Sequence, residues 1–137
     1  MKKNTIVIVL AIFVLVLASL ACNAVAGGPL GISNVRLTSD VEGKTPITVY
    51  SPSDPTFYCY FELNNAPADT KIKGVWTLVS AEGYTSDTEI DSAEITGSDN
   101  TYYFKLDRST DAWPVGKYKV DLYVNDKLAQ TQNFEVK

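Results

Sequence analysis

The sequence predicts an all-β fold, an antiparallel β-sandwich of about seven strands preceded by an N-terminal hydrophobic signal helix. Three observations carry this. Apolar and polar residues alternate with period two almost everywhere beyond residue 31, the signature of strands with one buried face. No stretch there keeps a 3.6-residue apolar stripe, which removes amphipathic helices. Clusters of Gly, Pro, Asn, Asp and Ser cut the alternating runs into pieces of five to ten residues, the usual strand length in sandwiches.

The first residues stand outside that pattern. Lys2 and Lys3 precede Ile6–Leu20 (IVIVLAIFVLVLASL), a run with a single polar side chain, Ser19. Cationic flank, apolar stretch and small residues afterwards form an export signal, and the run is shorter than the ~20 residues of a spanning helix. Three outcomes follow export. Ala18-Ser19-Leu20-Ala21-Cys22 resembles a bacterial lipoprotein signal, which implies lipidation of Cys22; Ser19 departs from the Leu such signals usually carry. Ala24-Val25-Ala26 is an A-x-A cleavage site that releases a soluble chain. Retained whole, the segment is a helical anchor to a thin bilayer. Residues 1–26 are therefore read as a signal peptide or anchor, 27–31 as a Gly/Pro linker, and 32–137 as the sandwich domain. The protein is placed outside the cytoplasm, at the cell surface or envelope, or secreted.

The elements follow in order. Ile32–Thr38 is a first strand with Val35 and Leu37 inward, and Ile47–Tyr50 is a short extended piece stopped by Ser51-Pro52-Ser53-Asp54-Pro55. In Thr56–Leu63, Phe57, Cys59, Phe61 and Leu63 alternate against Thr56, Tyr58, Tyr60 and Glu62. Lys71–Ser80 places Ile72, Trp76 and Leu78 on one face. Thr88–Ile95 reads as an edge strand, because its charges alternate and its apolar content is low. Thr101–Leu106 sets Tyr102, Phe104 and Leu106 on one side; Lys117–Val124 and Leu128–Val136 close the chain as a hairpin around Asn125-Asp126-Lys127.

Cys59, Trp76 seventeen residues later, and Gly116-Lys117-Tyr118-Lys119-Val120 together resemble immunoglobulin-type sandwiches. There a residue on strand B, a Trp on strand C and a residue on strand F, two positions after a corner Tyr, meet between the sheets. The resemblance implies that Cys59 faces Val120, that Trp76 covers both, and that the Tyr118 hydroxyl donates to a backbone carbonyl. The run Trp113-Pro114-x-Gly116-x-Tyr118-x-Val120, with Asn65-Ala66-Pro67-Ala68 and Lys73-Gly74-Val75-Trp76 before it, is similar to the C-terminal module of many uncharacterised prokaryotic exported proteins. That likeness brings no catalytic residues with it. Pro114 holds Trp113 extended and Gly116 allows the backbone to bend into the corner.

Composition narrows the chemistry. The chain has no His, which removes His-dependent triads and imidazole metal sites. Without Lys2 and Lys3 it carries ten basic against sixteen acidic residues, net −6, and nucleic acid is excluded because its binding rests on basic neutralisation of phosphate. Asp87, Glu89, Asp91 and Glu94 are read as a solvated edge rather than paired catalytic acids. Asp99, Asn100, Asp107 and Asp111 are read as turn formers rather than calcium ligands. No enzyme activity, cofactor or metal is expected. Tyr58 and Tyr60 fall on the outward face of their strand, with Tyr103 beside them, and Trp113 is a further aromatic candidate. Such a patch suits a protein partner or a glycan, or serves cross-strand packing alone. The expected function is a non-catalytic module, held to the membrane by an N-terminal lipid or helix, for protein interaction or structural support; the alternative is a carbohydrate-binding module.

Overall fold

The computed structural model describes residues 28–137. The signal segment, Cys22 and the signal helix lie outside these residues. Among the described residues eight strands form two sheets: β1 (Gly31–Thr38), β2 (Val49–Tyr50), β3 (Thr56–Asn64), β4 (Thr70–Ala81), β5 (Thr88–Gly97), β6 (Asn100–Asp107), β7 (Gly116–Val124) and β8 (Lys127–Val136). One sheet runs β1-β3-β6 and the other β2-β8-β7-β4-β5. All neighbours are antiparallel except β2, which lies parallel to β8. The result is an immunoglobulin-like sandwich. The short piece before Pro52 thus becomes an eighth strand, and Thr88–Gly97 is the edge expected from its charges.

The core forms where the alternating faces meet. Phe57, Cys59, Phe61 and Leu63 of β3 are buried against Ile72, Trp76 and Leu78 of β4 and Val120, Leu122 and Phe134 of β7 and β8. Trp76 and Val120 are cross-strand partners, and Cys59 lies in the opposite sheet within the same cluster. Gly74 sits between Ile72 and Trp76 on the inner face of β4. A Cβ there would lie 2.6 Å from Cδ2 of Phe104, so the missing side chain lets the ring press onto the strand backbone.

At one end, the far pole, Phe57 gathers an aromatic cluster. Its ring lies 4.3 Å from Trp113, 4.4 Å from Tyr50 and 5.1 Å from Phe134. Tyr50 donates its hydroxyl to Thr38 O at 2.8 Å, tying β2 to β1. Along the margin between the sheets, Gln130 and Gln132 of β8 donate to Ile32 O and Val35 O of β1 at 3.4 and 3.3 Å, so side-chain amides satisfy edge carbonyls there.

On β1, Leu37 is buried and Val35 packs partly buried against the core, as expected, and Ile32, five residues before Leu37, joins them on the same face. Asn34 adopts φ 49° and the register shifts between Ser33 and Arg36. A bulge inserts a residue and inverts the alternation beyond it.

Candidate functional site

The outer face of the three-stranded sheet holds the predicted aromatic patch. β3 is the central strand, so its outward side chains are flanked on both sides. Tyr60 is the register partner of Tyr103 on β6, and their rings stack with centroids 5.0 Å apart and planes at 29°. Tyr58 meets Tyr103 edge-on at 6.0 Å. The guanidinium of Arg36 lies over the Tyr60 ring, 5.2 Å from its centroid, a cation–π contact. Tyr103 is 44% exposed, Tyr58 half-buried, and Tyr60 only 8% exposed.

Tyr60 is covered by the loop between β1 and β2. Its hydroxyl donates to Val41 O. Asp40 holds the loop closed: its carboxylate accepts the N–H groups of Glu42, Lys44 and Thr45 at 3.1, 3.0 and 2.7 Å. Those bonds, led by the Lys44 N–H, hold the Asp40 carboxyl below its ordinary range. Burial, then the neighbouring Tyr103, raises the Tyr60 hydroxyl. The surface open to a ligand is therefore Tyr103 with the rim of Tyr58, bordered by the Lys105–Asp107 ion pair at 2.7 Å. The covering loop carries no sequence signal beyond its Asp and Gly, and sequence reasoning did not find it.

Trp113 stands elsewhere. Its ring is buried on Phe57, its indole N–H donates to Asp54 O at 2.7 Å, and its backbone N–H donates to Pro52 O at 2.9 Å. With both faces packed and the donor occupied, it shuts the far pole and offers no face for stacking. Tyr118 meets the Phe57 ring edge-on at 6.0 Å and donates to Pro114 O at 2.6 Å. Gly116 has an ordinary negative φ; its role is close approach, since a Cβ would lie 2.2 Å from Ser80 O.

The remaining chemistry-bearing groups stay apart. Cys59 is fully buried, and burial pushes its thiol up to about 12, the behaviour of an inert core residue. On β5, Glu89 and Glu94 lie opposite Thr77 and Lys73, while Asp91 lies opposite inward-facing Trp76, which puts Asp91 on the other face. Asp99 accepts the Ala66 N–H at 2.5 Å at one end of β6, while Asp107 at the other accepts from Thr56 at 2.8 Å. Among the described residues no three His, Cys, Asp or Glu side chains converge as a metal site. One polar group that sequence reading missed is Asp121, buried on the outer face of the five-stranded sheet and held by Lys119 at 3.0 Å and Thr131 at 2.5 Å. All its neighbours are accounted for within the sheet.

No protein-family model matches the chain, and no curated protein sequence does. Solved structures do resemble it. An immunoglobulin-like protein from Pseudomonas aeruginosa aligns with a TM-score of 0.55 at 14% identity, over 82% of this chain and 99% of that one. An alkylpurine DNA glycosylase from Pseudomonas fluorescens, solved bound to DNA containing an abasic site analogue, aligns with a TM-score of 0.52 at 16% identity over 79% of this chain. This chain spans only 30% of the glycosylase's length. At such identities the likeness establishes the immunoglobulin-like fold, which is compatible with a non-catalytic module.

Proposed function

We propose that this is an exported, envelope-anchored, non-catalytic immunoglobulin-like module that contacts a protein partner through the outer face of the β1-β3-β6 sheet. The observation that carries the reading is Tyr103, exposed and seated on the buried Tyr60 ring. A rigid aromatic supported from below loses little freedom on binding and is a favoured interface anchor. Beside it, among the described residues β6 pairs with β3 alone, and its other edge extends the same surface. The likeness to part of a DNA glycosylase does not shift this reading toward nucleic acid, because the net −6 left without Lys2 and Lys3 opposes phosphate.

Affinity capture from the native envelope tests the proposal. Wild-type chain should retain a partner that Tyr58→Ala/Tyr103→Ala loses, with the fold unchanged; equal retention removes the face from consideration. Carbohydrate is the second reading, favoured by the flat exposed ring of Tyr103. It is weakened by the burial of Tyr60, which leaves one open ring where a sugar platform would gain from two. A glycan array without hits ends it. Anchoring is tested separately: a lipid-bearing Cys22 in the intact mass, lost in Cys22→Ala, supports the lipoprotein form, and a mature start at Gly27 excludes it.

A further inference from the structure

Both Leu30 and Leu128 are exposed, at 38% and 57%, and both lie at the pole where the chain enters the domain. That pole is defined by register. Gly31 pairs with Asn64, Val124 with Lys127, and Thr70 with Gly97, whereas Thr38, Ala81 and Gly116 lie at the far pole with Val115. The two leucines, with Val124, Lys127 and Ala129, line a shallow groove of about 390 Å³ next to Gly31. Three acids of this pole have partners, while Asp69, in the turn before β4, is exposed to solvent. Asp126 pairs with Lys71 at 3.1 Å, Glu94 lies 3.9 Å from the same lysine, and Asp99 accepts the Ala66 N–H. Asn65 donates to Pro29 O at 3.2 Å and pins the incoming chain beside the groove.

Tether length supplies the occupant. Cys22 lies eight residues before Leu30. A fully extended residue spans at most about 3.6 Å, so the leucine pair stays within about 29 Å of that position. Strands β1, β3, β7 and β8, eight to ten residues long, set the far pole about 30 Å further off at ~3.3 Å per residue. We infer that the Leu30/Leu128 groove is the membrane-seating surface of the domain, dipping into the headgroup–acyl boundary of the bilayer that holds the N-terminus. The inference rests on the anchored reading above. Leucine side chains favour that boundary, and Lys127 keeps its charge at headgroup level with its stem in apolar surroundings. Seated this way, the domain stands upright, with the tyrosine face turned sideways and clear of lipid.

The test uses the full chain in phosphatidylcholine vesicles containing a shallow nitroxide-labelled lipid. The fluorescent amino acid dansylalanine replaces either Leu128 or Val115, an exposed residue of the far pole. Flotation reports anchoring, and quenching reports seating. The expected result is co-flotation of both proteins, with a blue-shifted probe at 128 quenched at least three-fold more than the probe at 115. Leu30→Glu should remove most of that difference without releasing the protein. Co-flotation with equal quenching at the two positions overturns the seating while leaving the anchor standing. Failure to float overturns the anchored reading and the seating together.

Discussion

The hydroxyl of Tyr118 donates to the carbonyl oxygen of Pro114, four residues earlier, at 2.6 Å. This bond closes the corner that the Trp-Pro-x-Gly-x-Tyr run announces, and burial pushes the phenol up to about 12. Tyr118→Phe keeps the ring packed on Phe134, 5.3 Å away, but leaves a carbonyl without its donor. A loss of about 1–3 kcal/mol is expected, read by urea unfolding, with an unchanged far-UV spectrum. Gly116→Ala should cost more, because the added methyl meets the Ser80 carbonyl rather than a movable side chain.

Inside the sandwich, the contact of Phe104 with the bare backbone of Gly74 makes an overpacking prediction. Gly74→Ala should destabilise by about 1–3 kcal/mol. In Gly74→Ala/Phe104→Leu the two losses should fall short of their sum, because the smaller side chain vacates the space the methyl needs. Additive losses in denaturant titrations would show that the two positions do not touch.

Cys59 gives a pH dependence with a definite sign. The folded thiol ionises only near 12, whereas an unfolded one ionises near 8.5. The neutral thiol's contribution is complete below about pH 8.5 and is lost as pH rises, since the unfolded state then binds fewer protons. Between pH 8.5 and 9.5 the unfolding free energy should fall with a slope approaching about 1.4 kcal/mol per pH unit. Cys59→Ala lowers stability throughout but flattens this slope. A thiol reagent should react with Cys59 only as fast as the protein unfolds.

Much of this was legible in the chain because burial imposes a period. The alternation of Phe57, Cys59, Phe61 and Leu63 fixes which face of β3 is inward, and therefore that Tyr58 and Tyr60 point out. The low-apolar β5 announces itself as an edge, and Asn125 and Asp126 adopt φ 46° and 66°, the left-handed pair that a tight hairpin needs. What escaped was long-range or irregular. The bulge at Asn34 shifts a face without altering composition. The loop that Asp40 folds over Tyr60 depends on backbone amides, which every residue type supplies. Leu30 and Leu128 lie 98 residues apart and become neighbours only when β1 and β8 flank the same pole.

The claim that the tyrosine face is the contact surface is tested most directly by photo-crosslinking in the native envelope. Benzoylphenylalanine is placed at Tyr103, or at Tyr123, which pairs with Lys73 on the opposite outer face. A discrete protein adduct at 103 and none at 123 is the predicted result. Adducts at 123 with none at 103 would contradict it.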